Sequence, residues 1–69
     1  MTETKMNFIS AKNAMAQGWT VCNNVYPGRI YFMKDGIFAT EVREEDGKYT
    51  GAMPVFFNES EKKAKWWVM

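Results

Sequence analysis

Three features of this 69-residue chain predict an α+β fold, one N-terminal helix packed on a small antiparallel sheet of four to five strands. Phe8, Ala11, Met15 and Gly18 recur on one helical stripe, widened by Ala14. Asp35-Gly36, a preferred type I′ turn, separates two runs of strand-forming residues. The rest is rich in aromatic residues, with five Phe, three Trp and three Tyr, and supplies the sheet. At this length the chain is a single domain, 1–69, with residues 1–6 read as a flexible lead-in.

The helix runs from about Asn7 to Gln17. Either Asn7 or Ser10 can accept a hydrogen bond from an orphan N–H of the first turn, and Gly18 can take the left-handed conformation that stops it. Trp19 to Asn23 reads as the first strand, with Trp19, Val21 and Asn23 on one face and Thr20 and Cys22 on the other. Asn24 to Gly28 is a connecting turn. A two-residue turn at Asp35-Gly36 pairs Lys34 with Ile37, Met33 with Phe38, Tyr31 with Thr40 and Arg29 with Val42. Both faces of that hairpin carry large apolar groups. One is expected to lie on the helix and the other to meet a second subunit or a ligand.

Arg43 to Gly47 is an acidic exposed turn. Lys48 to Met53 reads as a further strand, in which Gly51 marks a bulge or a close backbone approach. Pro54 ends that strand or sits on its edge, and Val55 to Phe57 resumes it. Asn58 followed by Glu61 has the spacing of a capping box, which predicts a short second helix to about Ala64. Lys65 to Met69 closes the sheet, and the adjacent Trp66 and Trp67 must point to opposite faces.

A chain this short buries only about 60% of the surface its unfolded form exposes, so an added source of stability is expected. Cys22 is the only cysteine and there is no histidine, which rules out an internal disulfide and an ordinary zinc site and leaves oligomerisation. The aromatic load agrees with a homo-oligomer. A net charge of +1 argues against duplex nucleic acid as a partner. No apolar run is long enough to span a membrane, the first residues lack a signal-peptide core, and a cytoplasmic location is expected.

Without histidine a hydroxyl nucleophile has no imidazole base, and Ser10 and Ser60 read as cap or turn residues. Glu41, Glu44, Glu45 and Asp46 cluster around a turn as a solvated run. The glycines are scattered turn residues and form no phosphate loop. No catalytic residue, metal or cofactor is therefore expected, and the protein reads as a non-enzyme. What remains is aromatic surface with polar donors. Trp19, Tyr31, Tyr49, Trp66 and Trp67 can stack on a planar ring, while Asn23, Asn24, Arg29, Thr40 and Thr50 can hydrogen-bond base edges, ribose or phosphate. The competing reading makes these aromatics core and subunit interface.

The spacing F-x-x-A-x-x-A-x-x-x-G-x-x-V, formed by Phe8, Ala11, Ala14, Gly18 and Val21, resembles the opening of the small phage proteins typified by the second Thoeris anti-defence protein. The closing Trp66-Trp67-Val68 is similar to the tail of that family. The resemblance covers about a third of the chain, and Pro27 to Phe57 lies outside it. It implies an N-terminal helix on an antiparallel sheet, a homo-oligomer and aromatic-lined pockets near subunit contacts. It also implies a sponge, which holds cyclic or modified ADP-ribose signals without cleaving them and keeps the host's immune effector off.

The leading expectation is thus an immune-evasion protein that binds a small nucleotide-derived signalling molecule. Trp19, Trp67 and Tyr31 would stack on the base, Arg29 would hold a phosphate, and Asn23 or Asn24 would meet ribose or base edges. The alternative is a protein-binding inhibitor of a host enzyme that acts through an exposed aromatic face. Single-stranded nucleic-acid binding ranks below both because the charge is near neutral.

Overall fold

The computed structural model describes residues 5–69 and is α+β, with the order α1 (Phe8–Ala16), β1 (Val21–Asn23), β2 (Arg29–Lys34), β3 (Ile37–Val42), β4 (Met53–Pro54), α2 (Glu59–Lys63) and β5 (Trp66–Val68). The five strands form one antiparallel sheet in the order β4-β3-β2-β1-β5. Of the expected flexible lead-in, residues 1–4 lie outside the described residues. Met6 exchanges backbone hydrogen bonds of 2.8 and 2.9 Å with Trp66 and extends the sheet beyond β5.

Local chemistry sets most boundaries. The Asn7 side chain accepts from Ser10 N at 2.9 Å and starts α1. At its other end Gly18, at φ 98°, donates to Met15 O while Trp19 N donates to Ala14 O, the paired bonds of a Schellman motif. Trp19 is therefore part of the helix stop rather than of the first strand, which begins at Val21. Asp35 and Gly36 both have positive φ, as a type I′ turn requires, and the hairpin pairing follows the predicted register throughout.

The strand expected over 48–53 is the main correction. Tyr49 pairs with Arg43, whereas Met53 pairs with Thr40, so one extra residue is accommodated at Gly51-Ala52 and continuous pairing resumes only at β4. Gly51 has open space where a Cβ would stand, so it belongs to a bulge and not to a close approach.

Both helices pack on the same face of the sheet. Ala11 and Met15 of α1 meet Val21, Tyr31, Ala64 and Trp66 in the buried core, with Phe8, Phe38, Val55 and Phe57 around them. The rings interlock edge to face: Tyr31 and Trp66 lie 4.9 Å apart and Phe8 and Phe57 4.8 Å apart between centroids. Among the described residues no helix is long and apolar enough to cross a membrane.

Candidate functional site

The ten residues singled out from the sequence fall into separate regions, and one of them, Thr50, accepts from Val42 N at 2.9 Å beside the end of β3. Tyr31, Trp66, Asn23 and Thr40 are buried beneath the helices. Their polar groups are occupied in building the fold. The Tyr31 hydroxyl donates to Glu61 Oε2 at 2.6 Å, Trp66 Nε1 donates to Glu61 O at 3.0 Å, and Thr40 Oγ1 donates to Ile30 O at 2.8 Å. Asn23 Oδ1 accepts from Val25 N and Tyr26 N, which fixes the turn after β1, and its buried Nδ2 has no hydrogen-bond partner. The expectation that Tyr31 stacks on a base and Asn23 meets its edge is therefore corrected: full burial leaves no room for a ligand ring against either.

Burial pushes the Tyr31 hydroxyl up to about 12, reinforced by its hydrogen bond to Glu61 and opposed by the nearby Asn23 amide and Arg29. Glu61, expected only as a capping residue, has a second contact in the core. Its Oε1 accepts from Asn58 N at 2.9 Å while Asn58 Oδ1 accepts from Glu61 N at 2.8 Å, so the predicted capping box is present. The box uses one carboxylate oxygen. The other reaches into the core to the tyrosine.

Arg29 is half-buried at the start of β2, with its guanidinium 4.4 Å from the centre of the Tyr26 ring. The Tyr26 hydroxyl in turn accepts from Asn58 Nδ2 at 2.9 Å. This corner ties the turn after β1 to α2. Tyr49 is exposed along the outer edge of β3, across the sheet from β5, and Trp19 is exposed at the end of α1. Neither joins the other candidates.

Trp67 and Asn24 lie near each other at the β1–β5 ladder. Trp67 pairs with Cys22 on the face that the helices leave uncovered, and it is partly buried there. Next to it, Asn24 and Lys65 clamp the strand ends, because Asn24 N donates to Lys65 O at 3.1 Å and Lys65 N donates to Asn24 Oδ1 at 3.1 Å. Lys5 stands opposite, with Nζ 5.7 Å from the centre of the Trp67 ring, within cation–π range. This patch combines a stacking surface, an amide and two cations.

The uncovered face continues across Ile30, Phe32, Ile37 and Ala39, which alternate with the core-facing residues of β2 and β3. It ends at an open cavity of about 210 Å³ between the hairpin tip and β4, lined by Lys34, Asp35, Ile37, Ala39, Ala52, Met53 and Pro54. Ile37 is 57% exposed and Phe56, in the loop after β4, is 91% exposed. Among the described residues no group of three His, Cys, Asp or Glu side chains is arranged to hold a metal ion. Comparison with family models, with curated proteins and with solved structures finds no match for this chain.

Proposed function

We propose that this protein is a non-enzymatic binder that sequesters a small nucleotide-derived signal of the ADP-ribose or cyclic ADP-ribose class in the host cytoplasm, as a phage immune-evasion protein would. The observation that carries the reading is the pairing of the partly buried Trp67 ring with Lys5 at 5.7 Å on the open side of the sheet. An indole face accepts a planar base, and an adjacent ammonium accepts its phosphate. Asn24 lies beside Lys65 on the same strand ends and offers its amide nitrogen to ribose or base edges. The spacing shared with the Thoeris anti-defence sponges at Phe8, Ala11, Ala14, Gly18 and Val21 supports the same reading.

Of eleven aromatic residues, Tyr31 and Trp66 are fully buried and Phe8, Phe38 and Phe57 pack against them. The remaining six are more than this small core requires. In this reading a second copy of the chain covers the part of the open face formed by β2 and β3, beside the Trp67 patch. Lys34 and Glu41 mark opposite ends of that face, so two sheets packed face to face with antiparallel strands bring each Lys34 level with the partner's Glu41.

Titration of tryptophan fluorescence with ADP-ribose derivatives and cyclic dinucleotides tests the proposal. Saturable quenching, with the ligand recovered intact after denaturation, is the expected outcome. The second reading, a protein-binding inhibitor of a host enzyme, is favoured by the 91% exposure of Phe56 beside the two-residue edge strand β4. It predicts capture of a single host protein and no fluorescence response to the nucleotide panel.

A further inference from the structure

The segment leading into α1 and the end of α2 form a second concave region whose chemistry differs from that of the open apolar face. A cavity of about 270 Å³ lies between the segment leading into α1 and the end of α2, lined by Lys5, Met6, Asn7, Lys62, Lys63, Ala64 and Lys65. Four of these seven residues are lysines and none is acidic. Their positions follow from the fold. The Met6–Trp66 backbone bonds hold Lys5 and Lys65 on neighbouring strands, and the Asn58–Glu61 capping box orients the turn that carries Lys62 and Lys63.

Four lysines line one hollow, and an anion held there would be attracted by their like charges. One carboxylate lies nearby: Glu59 Oε1 is 3.9 Å from Lys62 Nζ, with both side chains well exposed, which leaves the other three lysines without an ion-pair partner among the described residues. Asn7 caps the N-terminus of α1 at the rim, so the positive end of that helix adds to the field. The short α2 presents its negative end from the other side, and Lys62 and Lys63 offset it.

We infer that this lysine cleft is a binding site for a diphosphate group, the phosphate-bearing part of the ligand whose base stacks on Trp67; the inference rests on the reading of the protein as a nucleotide binder. Chemistry decides the division of labour. A cavity of about 270 Å³ has room for a diphosphate, and its lysine lining suits phosphate oxygens where the Trp67 ring suits a base. Lys5 links the two parts, since it lines the cleft and lies over the Trp67 ring.

The test is calorimetric titration of the full chain with inorganic pyrophosphate and, separately, with ADP-ribose. Both are run on the wild type, on the double variant Lys63→Ala/Lys65→Ala and on Trp67→Ala, with circular dichroism to verify folding. Pyrophosphate is expected to bind the wild type, to weaken about tenfold for each lysine lost as charge-assisted hydrogen bonds disappear, and to weaken further as salt rises to about 0.15 M. Trp67→Ala is expected to keep pyrophosphate binding and to lose the added affinity of ADP-ribose.

No binding of pyrophosphate to the wild type, or equal binding by the lysine variant, overturns the inference. ADP-ribose binding that is undiminished in the lysine variant also overturns it, and leaves the proposed function standing. Lysine-dependent pyrophosphate binding without any response to nucleotides keeps the cleft and removes the proposed function. Preference for a single-stranded oligonucleotide over pyrophosphate overturns the diphosphate assignment.

Discussion

The Tyr31 hydroxyl donates a 2.6 Å hydrogen bond to Glu61 Oε2 inside the core, and this contact locks the middle of the sheet to the first turn of α2. Glu61 serves two partners at once, since its other oxygen holds Asn58 N. Removing either end of the Tyr31–Glu61 bond leaves a buried polar atom without its partner. Tyr31→Phe is expected to cost about 1–3 kcal/mol in urea denaturation. Glu61→Ala should cost more, because it also dismantles the capping box. Equal stability of Tyr31→Phe and wild type would contradict this role.

Burial of the Tyr31 hydroxyl, reinforced by the same bond, makes stability sensitive to alkali. The folded-state value of Tyr31 is raised to about 12 from an unfolded value of about 10, so the neutral hydroxyl is the form the fold favours. Its contribution is complete below about pH 10 and disappears as pH rises through about 12. Chemical denaturation across that window should show a loss of stability in the wild type that Tyr31→Phe does not share. Parallel curves for the two proteins would show that the buried tyrosine is not the cause.

Much of this fold was legible because its signals are local. Asp35-Gly36 fixes the hairpin register, and once the register is set Tyr31 must share a face with Thr40. The Asn7 and Asn58 caps and the Gly18 stop act within a few residues of themselves. The second function of Glu61 was not legible, since the capping box already explains a glutamate there and its Tyr31 partner is far along the chain. Nor was the lysine cleft, which exists only because Met6 pairs with Trp66 at the opposite end of the chain. Strand parity separated Trp66 from Trp67, but which one entered the core depended on where the helices packed.

That separation gives a pair of opposite outcomes. Trp66 is fully buried among Phe8, Tyr31 and Phe57, so Trp66→Ala should lose about 3–5 kcal/mol. Trp67 lies on the other face and is only partly buried, and Trp67→Ala should retain a cooperative thermal transition close to that of the wild type. Comparable losses in the two variants would show that both faces of β5 are core.

The uncovered face makes a prediction about assembly. Ile37, more than half exposed at the hairpin tip, faces the proposed second copy and makes little use of the monomer core. Ile37→Lys should shift sedimentation velocity from oligomer to monomer while leaving the far-ultraviolet spectrum unchanged. A wild type that sediments as a monomer at high concentration would refute the pairing.

The most direct measurement is the fluorescence titration of the wild type and Trp67→Ala with ADP-ribose and cyclic ADP-ribose, followed by chromatography of the released ligand. If Trp67 and Lys5 form a stacking site, the wild type responds saturably, Trp67→Ala loses at least about tenfold in affinity, and the ligand returns unaltered. A folded wild type that gives no response to either compound, or that returns a cleaved product, would contradict the reading of this protein as a nucleotide-sequestering binder.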